Sequence, residues 1–266
     1  MTAMTAFPEG TPCWVDAMLP DLDAGKRFYG ELFGWTFDEG AAEFGGYTVA
    51  FRDGRKAAAL MPQPDPSMPV SWGISFATPD AARTEQTILR SGGRIVCPPM
   101  PVGDLGTLLV AADPGGAVFN AWQAGTHRGF EISGEPGGYV WTGLGTRLPH
   151  TADAFYAKVF GFVGATGSPM AGPGVLPWRL PGTDREIGCR VTIDPDLPET
   201  EGVPAHFTVC FLVDAMDEAV RTATALGGTV VGGPHSSCGG PFAVLRDNQG
   251  ATFGVMAPKQ PARPQN

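Results

Sequence analysis

Long hydrophobic runs are missing from this sequence. No stretch approaches the roughly 20 consecutive apolar residues that a membrane-spanning helix needs. The N-terminus, Met-Thr-Ala-Met-Thr-Ala-Phe-Pro, also lacks the basic and apolar segments of a secretory signal peptide. We therefore expect a soluble, cytoplasmic protein.

Basic residues are fewer than acidic ones. The chain has 18 Lys and Arg against 27 Asp and Glu, which gives a net charge of −9, and no cluster of Lys or Arg forms a basic stripe. This charge disfavours nucleic acid and anionic membrane surfaces as partners, because both attract positive patches. We expect a small-molecule ligand instead, and the sequence leaves open whether the protein is a monomer or a homodimer.

Cysteine pairs and the common catalytic motifs are also absent. The five cysteines, at 13, 97, 189, 210 and 238, are scattered and include no C-x-x-C pair, which is typical of free thiols in a reducing compartment. There is no Gly-rich phosphate loop, no serine nucleophile elbow and no H-E-x-x-H zinc motif. The chemistry that these motifs carry is therefore poorly supported.

Glycine and proline are abundant, and one aromatic motif occurs twice. The 38 Gly and 26 Pro indicate many short strands joined by tight turns. The sequence from Phe28 to Trp35, Phe-Tyr-Gly-Glu-Leu-Phe-Gly-Trp, recurs from Phe155 to Phe162 as Phe-Tyr-Ala-Lys-Val-Phe-Gly-Phe. A repeat of this length predicts one supersecondary unit used more than once.

The repeated unit has the predicted order strand, helix and three strands. In the first copy a strand over 13–19 precedes a helix over 22–33, which Asp21 caps and Gly34 ends. A second copy begins near Ser71, and a third begins at Tyr139 after the Gly-rich segment 124–138. We therefore predict two domains, 1–128 and 129–266.

A second repeat relates the second and fourth units. Gly92-Gly93 recurs as Gly227-Gly228, and Asp113-Pro-Gly-Gly-Ala-Val-Phe recurs as Asp247-Asn-Gln-Gly-Ala-Thr-Phe. Each Asp-led segment is typical of a tight turn between two strands. The chain is therefore predicted to contain four related units, two in each domain.

In the order and duplication of these motifs, the chain resembles a tandem member of the vicinal oxygen chelate superfamily. That superfamily includes glyoxalase I, extradiol dioxygenases and bleomycin-resistance proteins, and the resemblance covers nearly all of 12–257. It implies an α+β fold with two tandem domains. Each would have two βαβββ units forming a curved mixed sheet around a cavity, with helices outside. Catalytic members place a divalent metal in that cavity.

The positions that match the metal ligands of the superfamily do not carry His, Gln or Glu. They carry Trp14, Trp72 and Asn120 in the first domain, and Trp141, Phe207 and Gly254 in the second. Aromatic rings offer no lone pair to a divalent ion. We therefore predict no metal and no cofactor in either domain.

His206 is the nearest candidate for a replacement ligand, because it precedes Phe207. Neighbouring side chains on a strand point to opposite faces, so His206 faces the helices if Phe207 faces the cavity. A shift of one residue in the alignment reverses that assignment. We interpret His206 as a structural or surface histidine.

The same alternation predicts which side chains line the cavities. Trp14, Asp16 and Met18 are expected to face inward, and Val15, Ala17 and Leu19 to pack against the helix. We also place Trp72, Ile74 and Phe76 inward, together with Phe207, Val209 and Phe211. The predicted ligand-binding residues are Trp14, Trp72, Asn120, Trp122, Trp141, Arg147, Phe207 and His235, and the predicted catalytic residue is Asp16.

Three functions remain open. Aromatic walls with few polar groups favour a metal-independent protein that binds an aromatic or polyketide-like molecule, for sequestration or for cyclisation, isomerisation or hydration. The first alternative is a metal-dependent dioxygenase or glyoxalase-type lyase. The second is a scaffold whose cavities are filled by its own side chains. Whether the protein is an enzyme is left undecided.

Overall fold

A computed structural model describes residues 7–197, 200–237 and 239–259. The first half of the chain forms two βαβββ motifs. The first motif contains β1 (Pro12–Leu19), α1 (Leu22–Phe33), β2 (Thr36–Phe37), β3 (Thr48–Arg52) and β4 (Arg55–Pro62). The second contains β5 (Ser71–Ala77), α2 (Ala81–Arg90), β6 (Arg94–Val102), β7 (Gly106–Ala112) and β8 (Val118–Ala124).

The second half repeats this order. The third motif contains β9 (Tyr139–Thr146), α3 (Pro149–Phe160), β10 (Val163–Gly164), β11 (Val175–Arg179) and β12 (Glu186–Thr192). The fourth contains β13 (His206–Leu212), α4 (Met216–Ala225), β14 (Thr229–Ser237), β15 (Gly240–Arg246) and β16 (Thr252–Met256). The predicted α+β class with two tandem domains is confirmed, and the boundary between 128 and 129 stays a prediction.

The bounds of α1 follow the predicted capping residues, and an aspartate caps α2 in the same way. Asp21 accepts a hydrogen bond from the Ala24 amide at 2.9 Å, and Asp80 accepts one from the Arg83 amide at 3.0 Å. Gly34 ends α1 with φ 68°, a left-handed conformation that a residue with a Cβ adopts only at a cost. Local sequence therefore determines where α1 and α2 begin.

Each half of the chain forms one eight-stranded mixed sheet. The strand order is β2-β3-β4-β1-β5-β8-β7-β6 in one and β10-β11-β12-β9-β13-β16-β15-β14 in the other. β1 runs parallel to β4 and β5 parallel to β8, whereas β3 with β4 and β7 with β8 are antiparallel hairpins. The two sheets thus repeat one topology.

The chain also divides into two compact units by contacts, and each unit combines motifs from both halves. The first compact unit contains the described residues of Gly73–Phe130 and Trp141–Thr208, together with those up to Val15. The second contains Asp16–Trp72, Glu131–Val140 and the described residues from Val209 onward. The second motif therefore packs with the third, and the first packs with the fourth.

A buried hydrogen bond between tyrosine and aspartate recurs in both compact units. Tyr29 of α1 donates from its hydroxyl to Asp247 at 2.8 Å, and Tyr156 of α3 donates to Asp113 at 3.3 Å. Burial, and after it the neighbouring carboxylate, raises the pKa of both tyrosines well above the ordinary range. The hydroxyls therefore stay protonated as donors.

Each aspartate in these pairs also organises its own turn. The Oδ1 atom of Asp113 accepts from the Gly115 and Ala117 amides, and that of Asp247 accepts from the Gln249, Gly250 and Ala251 amides. One carboxylate thus holds the turn with one oxygen and a helix tyrosine with the other. In each compact unit, the tyrosine of one Phe-Tyr repeat is thus hydrogen-bonded to the aspartate of one Asp-led repeat.

Aromatic side chains fill the core around each pair. Trp72 donates from its indole nitrogen to the Tyr29 hydroxyl at 3.0 Å, and Phe76 packs at 5.2 Å from Phe160 of α3. The prediction that Trp72, Ile74 and Phe76 face a cavity is therefore wrong. On β5 the small residues Ser71, Gly73 and Ser75 take the other face, because the bulky apolar side chains gain more by packing against helices.

The structure also bears on the predictions for the cysteines and for membrane-spanning helices. No disulfide bond links Cys13, Cys97, Cys189 and Cys210, and Cys238 lies outside the described residues. None of the helices in the described ranges is long and apolar enough to cross a membrane.

The Tyr29→Phe and Tyr156→Phe variants test the buried pairs. Each should lose about 1–3 kcal/mol of unfolding free energy, because an aspartate oxygen stays buried without its donor. Urea denaturation measures the change. Tyr47→Phe is the control: it also removes a donor from an aspartate, Asp16, but both residues are partly exposed, so water can replace the donor and the loss should be smaller than in either test variant. Equal losses in all three variants would contradict a special role for the buried pairs.

Candidate functional site

Each sheet has one face packed on helices and one open face. On β1 the side chains of Val15, Ala17 and Leu19 are fully buried, whereas Asp16 and Met18 keep partial exposure. On β9 the pattern is the same, because Thr142, Leu144 and Thr146 are buried and Trp141, Gly143 and Gly145 are partly exposed. The open faces are therefore where a ligand can reach the strands.

Trp14 and Trp122 lie on the open side of the first sheet but are covered by the chain itself. The Trp14 indole meets the His127 ring edge-on, with centroids 4.5 Å apart, and lies 5.6 Å from Phe130. Trp122 donates from its indole nitrogen to the His127 carbonyl at 2.9 Å. Residues 127–130 thus cover both indoles, which are 4% and 8% exposed.

Asn120 completes this part of the sheet without forming a metal site. Its amide nitrogen donates to the Ser75 hydroxyl at 3.4 Å. Within the described ranges no three His, Cys, Asp or Glu side chains are grouped so that they could hold a metal ion. The described side chains therefore do not fit the divalent metal that the superfamily implies.

Asp16 faces the open side of β1 and has one hydrogen-bond partner among the described residues. The Tyr47 hydroxyl donates to its Oδ2 atom at 3.1 Å. Burial raises the pKa of Asp16 from 3.8 to about 6, although the hydrogen bond from Tyr47 acts in the opposite direction. Asp16 therefore changes charge close to neutral pH. The sequence offered no signal for Tyr47, since it belongs to no repeated motif.

The neighbours of Asp16 on the open face are uncharged. Asp16 pairs with Ala59 of β4, which pairs with Val49 of β3, and Met18 pairs with Met61. Paired residues on adjacent strands point to the same face. The carboxyl group thus lies among methyl and thioether groups, which explains why its charged form is poorly solvated.

The open face of β9 lacks side chains at the positions where β1 carries Asp16 and Met18. The corresponding positions are Gly143 and Gly145. A Cβ added at Gly143 would meet only the Cys189 sulfur, at 3.8 Å, whereas one at Gly145 would meet the His206 ring at 3.1 Å. Gly145 therefore admits the imidazole, and the surface beside it at Gly143 stays bare.

Trp141 and His206 lie on this face at opposite ends of the glycine pair. The Trp141 indole nitrogen donates to the Cys189 sulfur at 3.4 Å, and the His206 Nδ1 atom lies 2.9 Å from the Pro204 carbonyl oxygen. Both rings have a partner that fixes their orientation, and both are partly exposed. The sheet thus presents two oriented rings with bare backbone between them.

The predicted orientations of Phe207 and His206 are reversed in the structure. Phe207 packs 5.6 Å from Phe76 and 5.8 Å from Tyr156 in the aromatic core, so the prediction that it faces a cavity is wrong. Val209 and Phe211 share its side of β13 and are fully buried. His206 consequently takes the open face, which a shift of one residue in the alignment was expected to produce.

Three other predicted positions have simple local surroundings. Arg147 is exposed and donates to the Thr200 carbonyl, and His235 is exposed on β14 opposite Phe242. A Cβ at Gly254 would lie 2.4 Å from the Cys210 sulfur, so only glycine fits there. The roles of Arg147 and His235 in ligand binding stay predictions.

Two family models match the sequence. The model of the Glyoxalase/Bleomycin resistance protein/Dioxygenase superfamily matches residues 14–153, and that of a Glyoxalase-like domain matches residues 142–256. Together they cover both sheets.

Two relatives are similar over nearly the whole chain. One, from Mycobacterium tuberculosis, bears the name "Putative glyoxylase CFP32"; it is 36% identical over 97% of this chain and 98% of its own. The other is the anthracycline biosynthesis protein DnrV of Streptomyces peucetius, 36% identical over 95% of both chains. Neither name states a substrate.

Two solved structures share the fold. The Mn(II)-bound glyoxalase of Novosphingobium aromaticivorans has a TM-score of 0.67 at 14% identity, over 95% of this chain and 83% of its own. The 2,3-dioxygenase LapB of Pseudomonas sp. KL28 has a TM-score of 0.63 at 14% identity, over 98% and 96%. At these identities the likeness concerns the fold alone.

The Trp14→Ala and Trp141→Ala variants separate a covered indole from an open one. Trp14→Ala should lose about 3–5 kcal/mol of unfolding free energy, because it empties a packed site. Trp141→Ala should lose only about 1 kcal/mol, because its ring is partly exposed. Urea denaturation of both variants tests this difference. A larger loss for Trp141→Ala would contradict the assignment of the open face.

Proposed function

Because the chain belongs to the glyoxalase, bleomycin-resistance and dioxygenase superfamily, we propose that it binds a flat, conjugated small molecule on the open face around Gly143. The ligand lies across the bare backbone of β9, between the Trp141 indole and the His206 imidazole. Its class is aromatic or polyketide-like. Binding serves sequestration or a simple step such as cyclisation, isomerisation or hydration.

Gly143 is the observation that carries this proposal. Glycine inside a strand weakens the strand and often marks a close approach of a ligand to the backbone. Gly143 has no positive φ that would demand glycine, and a Cβ there would meet only the Cys189 sulfur at 3.8 Å. Neither backbone conformation nor packing accounts for the missing side chain.

The dimensions of this face suit a fused ring system. Trp141 and Gly145 are four residues apart on β9, which corresponds to about 13 Å along a strand. A partly exposed indole offers a ring to an offset or edge-on aromatic partner. The hydrogen bond to the Cys189 sulfur holds the indole in place, so little rotamer freedom is lost when a ligand binds.

His206 supplies a polar contact at the far end. A carbonyl oxygen can only accept, so the contact with Pro204 requires a proton on Nδ1. In the neutral imidazole this leaves Nε2 as an acceptor, which suits a phenol or enol hydroxyl of the ligand. A planar molecule with a hydroxyl at one edge matches both rings.

The name of one relative supports the ligand class. DnrV is an anthracycline biosynthesis protein, and anthracyclines contain fused aromatic rings. The alternative of a filled scaffold is favoured only where residues 127–130 cover Trp14 and Trp122. The alternative of a metal-dependent lyase or dioxygenase requires ligands that the described side chains do not supply.

Equilibrium dialysis with quinizarin, a planar dihydroxyanthraquinone, tests the proposal. Gly143→Val fills the bare surface with a side chain that strands favour, so the fold should persist while affinity falls roughly tenfold or more. Trp141→Ala should weaken binding to a similar extent. Both losses should appear without a change in circular dichroism.

Gly232→Val is the matched control. Gly232 is also a strand glycine without a positive φ, and nothing lies within 4 Å of a Cβ added there. This variant should bind quinizarin as the unaltered protein does. Unchanged affinity in Gly143→Val, or no binding of quinizarin to the unaltered protein, would contradict the proposal.

A further inference from the structure

We propose that Asp16 and Tyr47 form a proton-transfer pair that acts on an enolisable carbonyl compound. The pair lies within the first motif and does not depend on the ligand site around Gly143. The reaction class is isomerisation by movement of a proton from one carbon to another.

The geometry leaves one carboxylate oxygen available as a base. The Tyr47 hydroxyl occupies Oδ2 at 3.1 Å, and Oδ1 has no hydrogen-bond partner among the described residues. Asp16 is partly exposed on the open face of β1, so Oδ1 can meet a bound molecule. A base needs this combination of a fixed orientation and an unoccupied lone pair.

No cationic side chain of the neighbouring strands is paired with the Asp16 carboxyl group. Ala59, Val49, Met18 and Met61 share its face, and β5, the other neighbour of β1, has no charged residue. The basic residues of the β3–β4 hairpin are paired elsewhere: Arg52 with Asp53, Arg55 with Glu135, and Lys56 with Glu131.

Because the neighbouring strands pair no cation with it, the Asp16 carboxylate is a stronger base than an ordinary carboxylate. Burial without a cation raises the pKa of Asp16 to about 6, so the group is mostly ionised at pH 7 and more basic than an ordinary carboxylate. A structural aspartate would be expected to have a cation or several amide donors, as Asp113 and Asp247 do. Among the described residues, Asp16 has only the Tyr47 hydroxyl as a donor.

The proposed step conserves atoms and needs no cofactor. The Oδ1 lone pair takes a proton from the carbon next to the carbonyl group. The C–H electron pair becomes the C=C bond of an enolate, and the carbonyl π pair moves to oxygen. When the substrate carries a β,γ double bond, this enolate is a dienolate. The oxygen lone pair then re-forms the C=O bond, the enolate C=C pair becomes the α,β double bond, and the β,γ π pair takes the proton from Asp16 at the γ carbon, which regenerates the carboxylate.

Tyr47 can stabilise the intermediate. Once Asp16 is protonated, it is a weaker acceptor than the carboxylate, so the Tyr47 hydroxyl is released to donate to the enolate oxygen. That oxygen carries the charge that the base has lost. The pair therefore supplies a donor at the moment when negative charge develops on the substrate.

Solvent deuterium exchange into β-tetralone, followed by proton NMR, tests the pair in the full-length protein. This bicyclic ketone enolises next to its carbonyl group. The protein should accelerate exchange with saturation, and Asp16→Asn should reduce the protein-dependent rate on the order of 100-fold or more. The asparagine can still accept from Tyr47, so the local structure should persist.

The pH profile distinguishes a catalytic pair from a structural one. Exchange should rise with pH through about 6, where Asp16 ionises, and then level off. Because the Tyr47 hydrogen bond lowers the pKa of Asp16, Tyr47→Phe should move the midpoint to higher pH. A tyrosine that only hydrogen-bonds Asp16 would shift the midpoint and leave the plateau rate in place, whereas a donor to the enolate oxygen also lowers the plateau rate when it is removed.

Asp53→Asn is the matched control. Asp53 is an exposed carboxylate in the β3–β4 turn, with φ 52°, a conformation that asparagine tolerates. It should leave exchange unchanged. The proposal is overturned if the unaltered protein exchanges β-tetralone no faster than buffer, or if Asp16→Asn matches Asp53→Asn.

Discussion

The buried hydrogen bond from a helix tyrosine to a turn aspartate is the contact on which the arrangement of each compact unit depends. Tyr29 reaches Asp247, and Tyr156 reaches Asp113, so a helix from one half of the chain is held to a turn from the other. The surrounding aromatic side chains then fill one face of the strands. Because that face takes the bulky residues, the opposite face carries small and polar ones.

Two open faces have diverged although they share one topology. In the first motif a carboxyl group lies among uncharged side chains, and its one hydrogen-bond partner in the described part of the chain is a tyrosine. In the third motif the matching positions are glycines between an indole and an imidazole. On our proposals, the duplicated unit carries one surface for proton transfer and another for stacking, and its described residues share no set of metal ligands.

Most of the fold, but only part of the site, could be predicted from the sequence. Capping residues predicted the bounds of α1, and sequence repeats predicted the positions of all four motifs, because these signals are local. The orientations of Trp72 and Phe207 were wrong because the alignment carried metal positions onto β5 and β13, where aromatic side chains pack against helices instead. Tyr47 and the covering segment at His127 depend on tertiary contacts that no local pattern records.

NMR of the protein with isotope-labelled histidine side chains, titrated with quinizarin, tests the central claim most directly. The chain has only four histidines, at 127, 150, 206 and 235, so each imidazole gives a signal that a single substitution can assign. If the bare face of the third motif is the ligand site, the His206 signal shifts with saturation and the other three do not. A saturating shift at His127 or His235 with His206 unchanged would contradict the account.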